Sequence, residues 1–298
     1  MNDVPVASVI VPVLNGEKTL SQLLAALKSQ AGVPGRFEIL VVDNGSTDRT
    51  AEIARRHGVT LLHRPVRGAS AARNFGLARA QADVVVFTDS DTVPSRRWLA
   101  GLLAVLADPE TILATGPIHG WQPATPVERY ASTQIHSERE KTAEHPRHPF
   151  AHGMNVAVRR EAALAIGGWD ETMSSGEDVD FAIRLRQKFG KPIQFVEQAV
   201  LFHKLRDTEE GLWKQARWHG SGYALVHQRH RRALPSPAWR CGVAFGMIGF
   251  LYCISPLVEA GCRIKLVKPE RAEFERFHRQ YLRHFWGGFF TQWRRGTA

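Results

Sequence analysis

The chain has 298 residues, 44% of them hydrophobic, which is enough to bury one large core or two modest ones. Its three cysteines (Cys241, Cys253 and Cys262) are odd in number and lack metal-ligand spacing, which argues against a disulfide framework and predicts a reducing compartment. The net charge of +10 falls entirely after residue 203: residues 1–203 carry 22 basic and 22 acidic side chains, and the rest carry 17 and 7. This basic tail is expected to face an anionic surface.

The neutral body alternates strand and helix patterns. The chain enters its first strand without a charged n-region or an apolar leader, so secretion is not expected. In chain order the sequence predicts a strand at Ser8–Leu14, a helix at Thr19–Gln30, a strand at Phe37–Val42, a helix at Arg49–His57, a short strand at Thr60–Leu62 and a helix opening at Gly68. This rhythm is typical of an α/β protein with an open, mostly parallel, doubly wound sheet.

The next strand is the most informative one. Val84-Val85-Val86-Phe87 is a continuous apolar run, which predicts a strand buried on both faces of a parallel sheet. It leads into Asp89-Ser90-Asp91. Ligands of open α/β sheets collect beyond the carboxyl ends of the strands, and two carboxylates there suit a hard divalent cation that retains substrate phosphates. The alternative is a solvated turn that holds two aspartates.

Three loops at predicted strand ends therefore carry polar side chains: Asn15 and Glu17, then Asp43, then the aspartate pair. A carboxylate after the second strand suits a nucleotide base or a ribose hydroxyl. No glycine-rich phosphate loop follows the first strand, so a metal ion on the aspartates is the expected way to neutralise phosphates. Arg73, at a helix start, is expected to be a second positive group for them.

Four motifs in this order carry a resemblance: Val11-Pro12-Val13-Leu14-Asn15; Val42-Asp43-Asn44-Gly45-Ser46-Thr47-Asp48; Gly68-x-Ser70-x-Ala72-Arg73-Asn74-x-Gly76; and Asp89-Ser90-Asp91. The series resembles the family 2 glycosyltransferases of the GT-A fold over about two thirds of the chain. The resemblance implies an inverting transferase that uses a nucleotide sugar, most often a UDP-sugar, with Mg²⁺ or Mn²⁺. The expected acceptor is a saccharide or a lipid-linked molecule.

The resemblance also implies roles for residues. Asp43 reads the base, and Asp91, with Asp89 nearby, holds the metal on the diphosphate. The expected nucleotide-sugar contacts are Pro12, Val13, Asn15, Glu17, Asp43, Arg73 and Asp89. Asp178, the second residue of the Glu177-Asp178 pair, fills the role of the base that takes the proton of the attacking hydroxyl. A helix start there would favour its ionised form; the alternative is that these acidic residues only charge a helix end.

Further positions around the acceptor follow from the same comparison. His152 to Arg160 resembles the short strand beside the sugar, which makes Asn155, with Glu177, a candidate acceptor or sugar contact. Trp169 is a candidate platform for a sugar face or else a core residue. His203, after an apolar strand predicted from Phe195 to Phe202, is either a metal ligand or a hydrogen-bonded structural histidine. The segment 121–150 has no clear period and reads as a lid or an acceptor loop.

The tail is predicted as a second region, with residues 1–205 forming the catalytic domain and 206–298 a basic, aromatic helical region. Cys241–Val258 is an uncharged run of 18 residues, expected to lie in a membrane interface or to form a re-entrant hairpin. An aromatic stripe at steps of three or four, flanked by arginines, predicts an interfacial helix, or else a helix packed on the body. Its members are Phe274, Phe277, Tyr281, Phe285, Phe289 and Trp293. The expected location is the cytoplasmic face of the cell membrane, peripheral or monotopic.

Two other functions fit parts of the pattern. A sugar nucleotidyltransferase would need a glycine-rich, basic loop after the first strand, and Val13-Leu14-Asn15-Gly16-Glu17 is not one. A non-catalytic sugar-nucleotide-binding scaffold would be favoured by loss of Asp91 or Asp178, and both are present. Nucleic acid is not expected as the partner of the tail, because uncharged apolar length beside the basic charge favours lipid.

Overall fold

The computed structural model describes residues 4–65, 68–135, 142–145, 149–234, 236–264, 266 and 268–296, with the backbone alone for 238–241, 244–245 and 259–263. The chain divides into two compact units. The first unit comprises Met1–Trp121, His136–Met173 and Glu177–Lys204. The second comprises Gln122–Ile135, Ser174–Gly176 and Leu205–Ala298.

The first unit is built on a seven-stranded sheet. The strands of the unit are β1 (Ala7–Val13), β2 (Phe37–Asp43), β3 (Thr60–His63), β4 (Val84–Phe87), β5 (Thr92–Pro94), β6 (Leu113–Thr115), β7 (Ile118–Gly120), β8 (Val156–Arg159), β9 (Ile193–Phe195) and β10 (Leu201–His203). The large sheet has the order β3-β2-β1-β4-β8-β6-β9, and β5, β10 and β7 form a small second sheet. The helices of the unit are α1 (Leu20–Lys28), α2 (Thr50–Arg56), α3 (Ala69–Leu77), α4 (Trp98–Leu106), α6 (Arg160–Ala165) and α7 (Glu177–Phe189).

The predicted α/β architecture with a mostly parallel sheet is confirmed. The first four strands in the order pair in parallel, and β8 is antiparallel to both of its neighbours. All seven residues of β1 are buried, as expected for a strand covered on both faces. Its register with β2 runs from Ala7 opposite Phe37 to Val13 opposite Asp43, so the loops after both strands leave the sheet at the same edge.

The apolar run from Phe195 to Phe202 is not one strand, and this prediction was wrong. β9 ends at Phe195, a turn closes with the Ala199 N–H donating to the Val196 carbonyl at 3.0 Å, and β10 resumes at Leu201 in the other sheet. The turn contains the polar pair Glu197-Gln198, which is the local signal for the break. The break moves His203 into the small sheet, opposite Thr92 of β5.

The second unit is helical, with α5 (Pro126–Ile135), α8 (Glu209–Arg229), α9 (Ala238–Arg263) and α10 (Pro269–Arg295). The aromatic stripe of α10 is partly used in packing: Phe277 and Phe289 are buried, and the Phe277 ring lies 5.6 Å from that of Tyr130 on α5. Tyr281 and Phe285 are half-buried, and Phe274 and Trp293 are exposed, so the interfacial helix stays a prediction. A stripe at helical spacing serves helix packing as readily as lipid contact.

The uncharged run at 241–258 lies within the single helix α9, which contains Pro256 and does not fold back as a hairpin. No helix in the described part of the chain combines the length and apolarity needed to cross a membrane. The helix and the residues after it expose large apolar side chains, namely Val243, Met247, Phe250, Tyr252, Leu257, Ile264 and Leu266. Exposed apolar surface in the tail therefore lies mainly on α9 rather than on α10.

Two adjacent glycines of α10 provide a test of its packing against α8. A Cβ at Gly288 would overlap the Arg217 carbonyl of α8, whereas a Cβ at Gly287 would meet open space. We expect Gly288→Ala to destabilise the second unit by about 1–3 kcal/mol, as overpacking does. Gly287→Ala, the matched control, is expected to stabilise α10 by about 0.5–1 kcal/mol through helix propensity. Thermal unfolding of the two variants measures this, and equal effects would show that the close approach of the helices is absent.

Candidate active site

The carboxyl end of β4 carries the predicted acidic pair. Asp89 and Asp91 follow the strand, and the Asp89 carbonyl accepts from the Thr92 hydroxyl at 2.8 Å. The Lys204 N–H donates to the Asp91 carbonyl at 2.9 Å, which ties this turn to the end of β10. Both aspartate side chains keep about 30% of their surface exposed (28% and 31%). The pair is thus fixed at its backbone and open at its carboxylates.

A buried arginine joins this turn to the start of α7. Arg73 is 3% exposed, and its guanidinium donates to Asp89 Oδ1 at 2.9 Å and to Glu177 Oε1 at 3.1 Å. Burial acts to lower the pKa of Arg73, but the two carboxylates outweigh it and hold the pKa above its ordinary value. Because both ends of the guanidinium are occupied by carboxylates, the prediction that Arg73 neutralises phosphates was wrong. Arg73 instead sets the positions of Asp89 and Glu177.

Asp178 lies in the first turn of α7, directly after Glu177, the first residue of the helix. One carboxylate oxygen accepts from the Val179 N–H at 2.9 Å, and the other accepts from the Gly153 N–H at 3.3 Å. Burial raises the pKa of the Asp178 carboxyl, although those two hydrogen bonds act to lower it. Burial and the nearby Asp178 carboxylate likewise raise the pKa of Glu177, against the effect of Arg73. A carboxylate with a raised pKa at a helix start is a good proton acceptor.

His203 is 5% exposed, and its Nε2 atom lies 3.4 Å from Asp91 Oδ2. That separation is long for a strong hydrogen bond and compatible with two ligands of one octahedral ion, which lie about 3 Å apart. The other ring nitrogen, Nδ1, is buried without a hydrogen-bond partner among the described residues. An imidazole and a carboxylate are a donor set that accepts Mn²⁺ or Mg²⁺, so these two residues fit such an ion.

Asp89 does not join them, because Arg73 holds it. Across the described ranges, no group of three or more His, Cys, Asp or Glu side chains is placed to bind a metal. A divalent ion would therefore take two protein ligands here and leave its other positions to phosphate and water, which is the usual arrangement for Mg²⁺.

Side-chain hydrogen bonds and an ion pair connect the loop after β1 to the loop after β2. Asn15, with a positive φ of 54°, accepts from the Thr47 N–H at 2.9 Å through its side-chain oxygen. Glu17 is bound by Arg49 at 2.7 Å, and Asp43 is buried with one oxygen accepting from the Ser46 N–H at 2.9 Å. These residues lie at the edge of the sheet where the sequence places the nucleotide.

The family model for "Glycosyl transferase family 2" matches residues 8–167, which is more than half of the chain and contains the aspartate turn and Arg73. The chain belongs to glycosyltransferase family 2. Among curated relatives it is 30% identical over 238 residues to glycosyltransferase AglE of Haloferax volcanii, covering 77% of each chain. It is also 30% identical over 232 residues to the pre-mycofactocin glycosyltransferase of Mycobacterium tuberculosis, where it covers 75% of this chain and 48% of that one. The chain thus spans about half the length of this mycobacterial relative.

Solved structures agree on the GT-A fold. The mannosyltransferase PcManGT from Pyrobaculum calidifontis, solved with GDP-Man and Mn²⁺, superposes with a TM-score of 0.68 at 21% identity and covers 96% of this chain and 87% of that one. Glucosyl-3-phosphoglycerate synthase from Mycobacterium tuberculosis, solved with Mn²⁺ and UDP, gives a TM-score of 0.56 at 22% identity over 78% and 81% of the chains. At these identities the likeness establishes the fold.

Two residues that the resemblance assigned to the sugar lie in the core of this glycosyltransferase. Trp169 is 1% exposed, stacked on Phe181 at 4.3 Å and covered by the Arg73 guanidinium at 4.7 Å, so it offers no face to a ligand. Asn155 is fully buried, where its side chain accepts from Trp98 Nε1 at 2.8 Å and donates to the Gly116 carbonyl at 3.0 Å. The expectation that Trp169 and Asn155 contact a sugar was therefore wrong. Both side chains are part of the packed core next to the site.

Pro12 and Val13 are buried in β1, where the Val13 carbonyl accepts from the Asn44 N–H at 2.8 Å. They position the loop that follows. His152 and Gly153 begin the segment that resembles the strand beside the sugar, but the sequence predicts no individual role for either. Both lie against Asp178, and His152 Nδ1 is 3.8 Å from its Oδ2. Burial, with the charge of His203, lowers the pKa of His152 to about 4, which keeps the ring neutral. Their place beside α7 depends on the loop before β8, which no local pattern reveals.

The segment predicted as a lid or acceptor loop contains α5, which packs in the second unit. Residues 136–141 and 146–148, including His148, lie outside the described residues.

Proposed function

We propose that this family 2 glycosyltransferase is a metal-dependent inverting enzyme that transfers a sugar from a UDP-sugar to a hydroxyl of a saccharide or lipid-linked acceptor. The observation that supports this most is the double ion pair of Arg73, which links the aspartate turn at β4 to the first turn of α7. One guanidinium thereby holds the candidate metal and diphosphate side of the site in register with the candidate base, Asp178.

The proposed chemistry is a single displacement. The acceptor hydroxyl oxygen attacks the anomeric carbon of the donor as its proton passes to Asp178, and the new C–O bond forms on the face opposite the leaving group. The bond between the anomeric carbon and the diphosphate oxygen breaks, and the nucleotide diphosphate leaves with the electron pair. Half-buried Asp178, held by Gly153 and Val179, is oriented for this proton transfer.

Asp91 and His203 are the residues that would hold the divalent ion. When bound, the ion neutralises the charge that develops on the departing diphosphate. Mn²⁺ together with GDP-Man or UDP in the neighbouring structures supports metal and nucleotide-sugar use, and the UDP complexes support the uridine donor.

We place the reaction at the cytoplasmic face of the cell membrane, with the second unit as a peripheral or monotopic anchor. The exposed apolar side chains of α9 support this, as do the exposed basic residues before it, Arg229, Arg231 and Arg232. A helix with apolar exposure and basic flanks lies in the interface of an anionic leaflet. The acceptor would then be membrane-proximal.

The donor part of the proposal is tested by thermal stabilisation with a panel of UDP-sugars and GDP-mannose, with Mn²⁺ or with excess chelator. We expect stabilisation by a UDP-sugar that requires Mn²⁺ and is lost in Asp91→Asn. The matched control is Asp83→Asn, a carboxylate at the opposite end of the same strand. Stabilisation that persists in chelator would contradict metal dependence, and stabilisation by GDP-mannose alone would contradict the uridine donor.

A further inference from the structure

The second unit contains a cavity of about 490 Å³ that the proposed chemistry does not use. It lies where α8 ends and α9 begins, beside the end of α10. Its lining includes Gln228, Arg231, Ser236 and Trp293. A cavity of this size accommodates a small polar molecule or the headgroup of a lipid.

Gln228 gives the cavity an unused hydrogen-bond acceptor. The side chain is 6% exposed, and its amide nitrogen donates to the Trp293 carbonyl at 3.1 Å. Its Oε1 atom is buried and has no hydrogen-bond partner in the part of the chain that the structure describes. Leaving a buried acceptor unsatisfied destabilises the fold. A ligand with a hydroxyl group in the cavity would supply the missing donor.

Two features give this cavity a positive electrostatic potential, an arginine side chain and the amino end of a helix. Arg231 lines it and is exposed. Ser236 and Pro237 line it immediately before α9, so the first turn of a 26-residue helix begins at its wall. The amino end of a helix carries unpaired N–H groups and favours anions, and an arginine beside it is a common phosphate ligand. The wall therefore combines groups for a phosphate with an acceptor for a hydroxyl.

The surroundings of the cavity indicate that the ligand is amphiphilic. α9 runs from the cavity wall and exposes Phe250 and Leu257, at 62% and 73%. Trp293, at the rim, is 36% exposed and suits the boundary between apolar and polar layers. A free anion would contact the phosphate-binding groups of the protein but would leave this apolar surface uncovered.

We propose that this cavity binds the headgroup of an anionic glycerophospholipid whose phosphodiester is followed by free hydroxyls, as in phosphatidylglycerol. The phosphodiester contacts Arg231 and the start of α9, a headgroup hydroxyl donates to Gln228 Oε1, and the acyl chains lie along α9. The proposal rests on the membrane location given under the proposed function and adds a headgroup preference to it.

The test compares two vesicle types that differ in headgroup hydroxyls but not in charge: phosphatidylcholine containing either phosphatidylglycerol or the same fraction of phosphatidylmethanol. We expect the 298-residue chain to co-sediment with both and to bind phosphatidylglycerol about 2- to 10-fold more tightly, the contribution of one or two hydrogen bonds. Gln228→Leu should remove that preference and leave phosphatidylmethanol binding unchanged. Gln134→Leu, at an exposed position of α5 in the same unit, is the matched control.

The outcomes separate this inference from the proposed function. Equal binding to both vesicles overturns the headgroup site and leaves the membrane location intact. No binding to either at low salt overturns the membrane location. In solution, glycerophosphoglycerol should bind more tightly than inorganic phosphate; equal affinities would reduce the cavity to a phosphate site and overturn the lipid assignment. If Gln228→Leu does not fold, Arg231→Gln must weaken binding to both vesicle types, which share the phosphodiester, more than Arg232→Gln at the neighbouring exposed position does, or the proposal fails.

Discussion

Replacing Asp178 with asparagine is expected to lower turnover by about 10²–10⁴-fold, the usual contribution of a general base. Asparagine keeps the size of the side chain, and its one oxygen can still accept from the Val179 N–H, so the first turn of α7 should persist; the hydrogen bond from the Gly153 N–H is lost. Donor binding should change little, because the reacting proton belongs to the acceptor. The loss would therefore appear in turnover and equally in turnover divided by KM for the acceptor.

The pH profile gives an independent check of the same assignment. Burial raises the pKa of Asp178, and a base must be ionised to work. The rate should therefore fall with decreasing pH through an apparent pKa above the ordinary aspartate value of about 3.9, and the residual rate of Asp178→Asn should lack this limb. Asp83→Asn, at the other end of the sheet, should behave as wild type. A loss of donor affinity with unchanged turnover would make Asp178 a binding residue instead.

Much of the first unit follows from local sequence. β1, β2 and β4 are apolar runs, and their polar termini lie at one edge of the sheet because parallel register requires it. The sequence predicts Asp91 and His203 as candidate ligands of one metal, and the fold brings their side chains to 3.4 Å, although the strand predicted before His203 is too long. Strand identity and polarity are local properties, so a single sequence carries them.

The partners of the site residues were not foreseeable in the same way. Arg73 and Glu177 are 104 residues apart, and nothing near Arg73 signals that two carboxylates rather than phosphates will meet it. The local sequence around Trp169 is the same whether the ring is an exposed platform for a sugar or a core residue. Its burial depends on contacts with Phe181 and Phe87, which lie on other elements. The stripe of α10 is a similar case, because the burial of part of it depends on the existence of α8. Whether such a side chain contacts a ligand or the protein core is decided by residues distant in sequence, and the local sequence is compatible with both.

Replacing Arg73 with methionine is expected to destabilise the protein by about 3–5 kcal/mol, the usual effect of removing one partner of a buried ion pair. Methionine retains apolar contact with Trp169 but leaves the buried Glu177 carboxylate without its cation. Urea unfolding at neutral pH measures the loss. Arg49→Met, which breaks the exposed pair with Glu17, is the matched control and should leave the free energy of unfolding nearly unchanged.

If Arg73→Met destabilises the protein by leaving a carboxylate unpaired, a second substitution should restore stability and the loss should depend on pH. Adding Glu177→Gln to Arg73→Met removes the unpaired charge, so the double variant should recover most of the stability, a non-additivity that contact alone would not produce. Without Arg73, the pKa of Glu177 rises further above its unfolded value, because Arg73 is the group that lowers it. A carboxyl with a raised folded pKa destabilises the protein once it ionises, so the deficit of Arg73→Met should shrink as the pH falls through that pKa. A deficit that is independent of pH and unaffected by Glu177→Gln would mean that Arg73 acts through packing on Trp169 and not through charge.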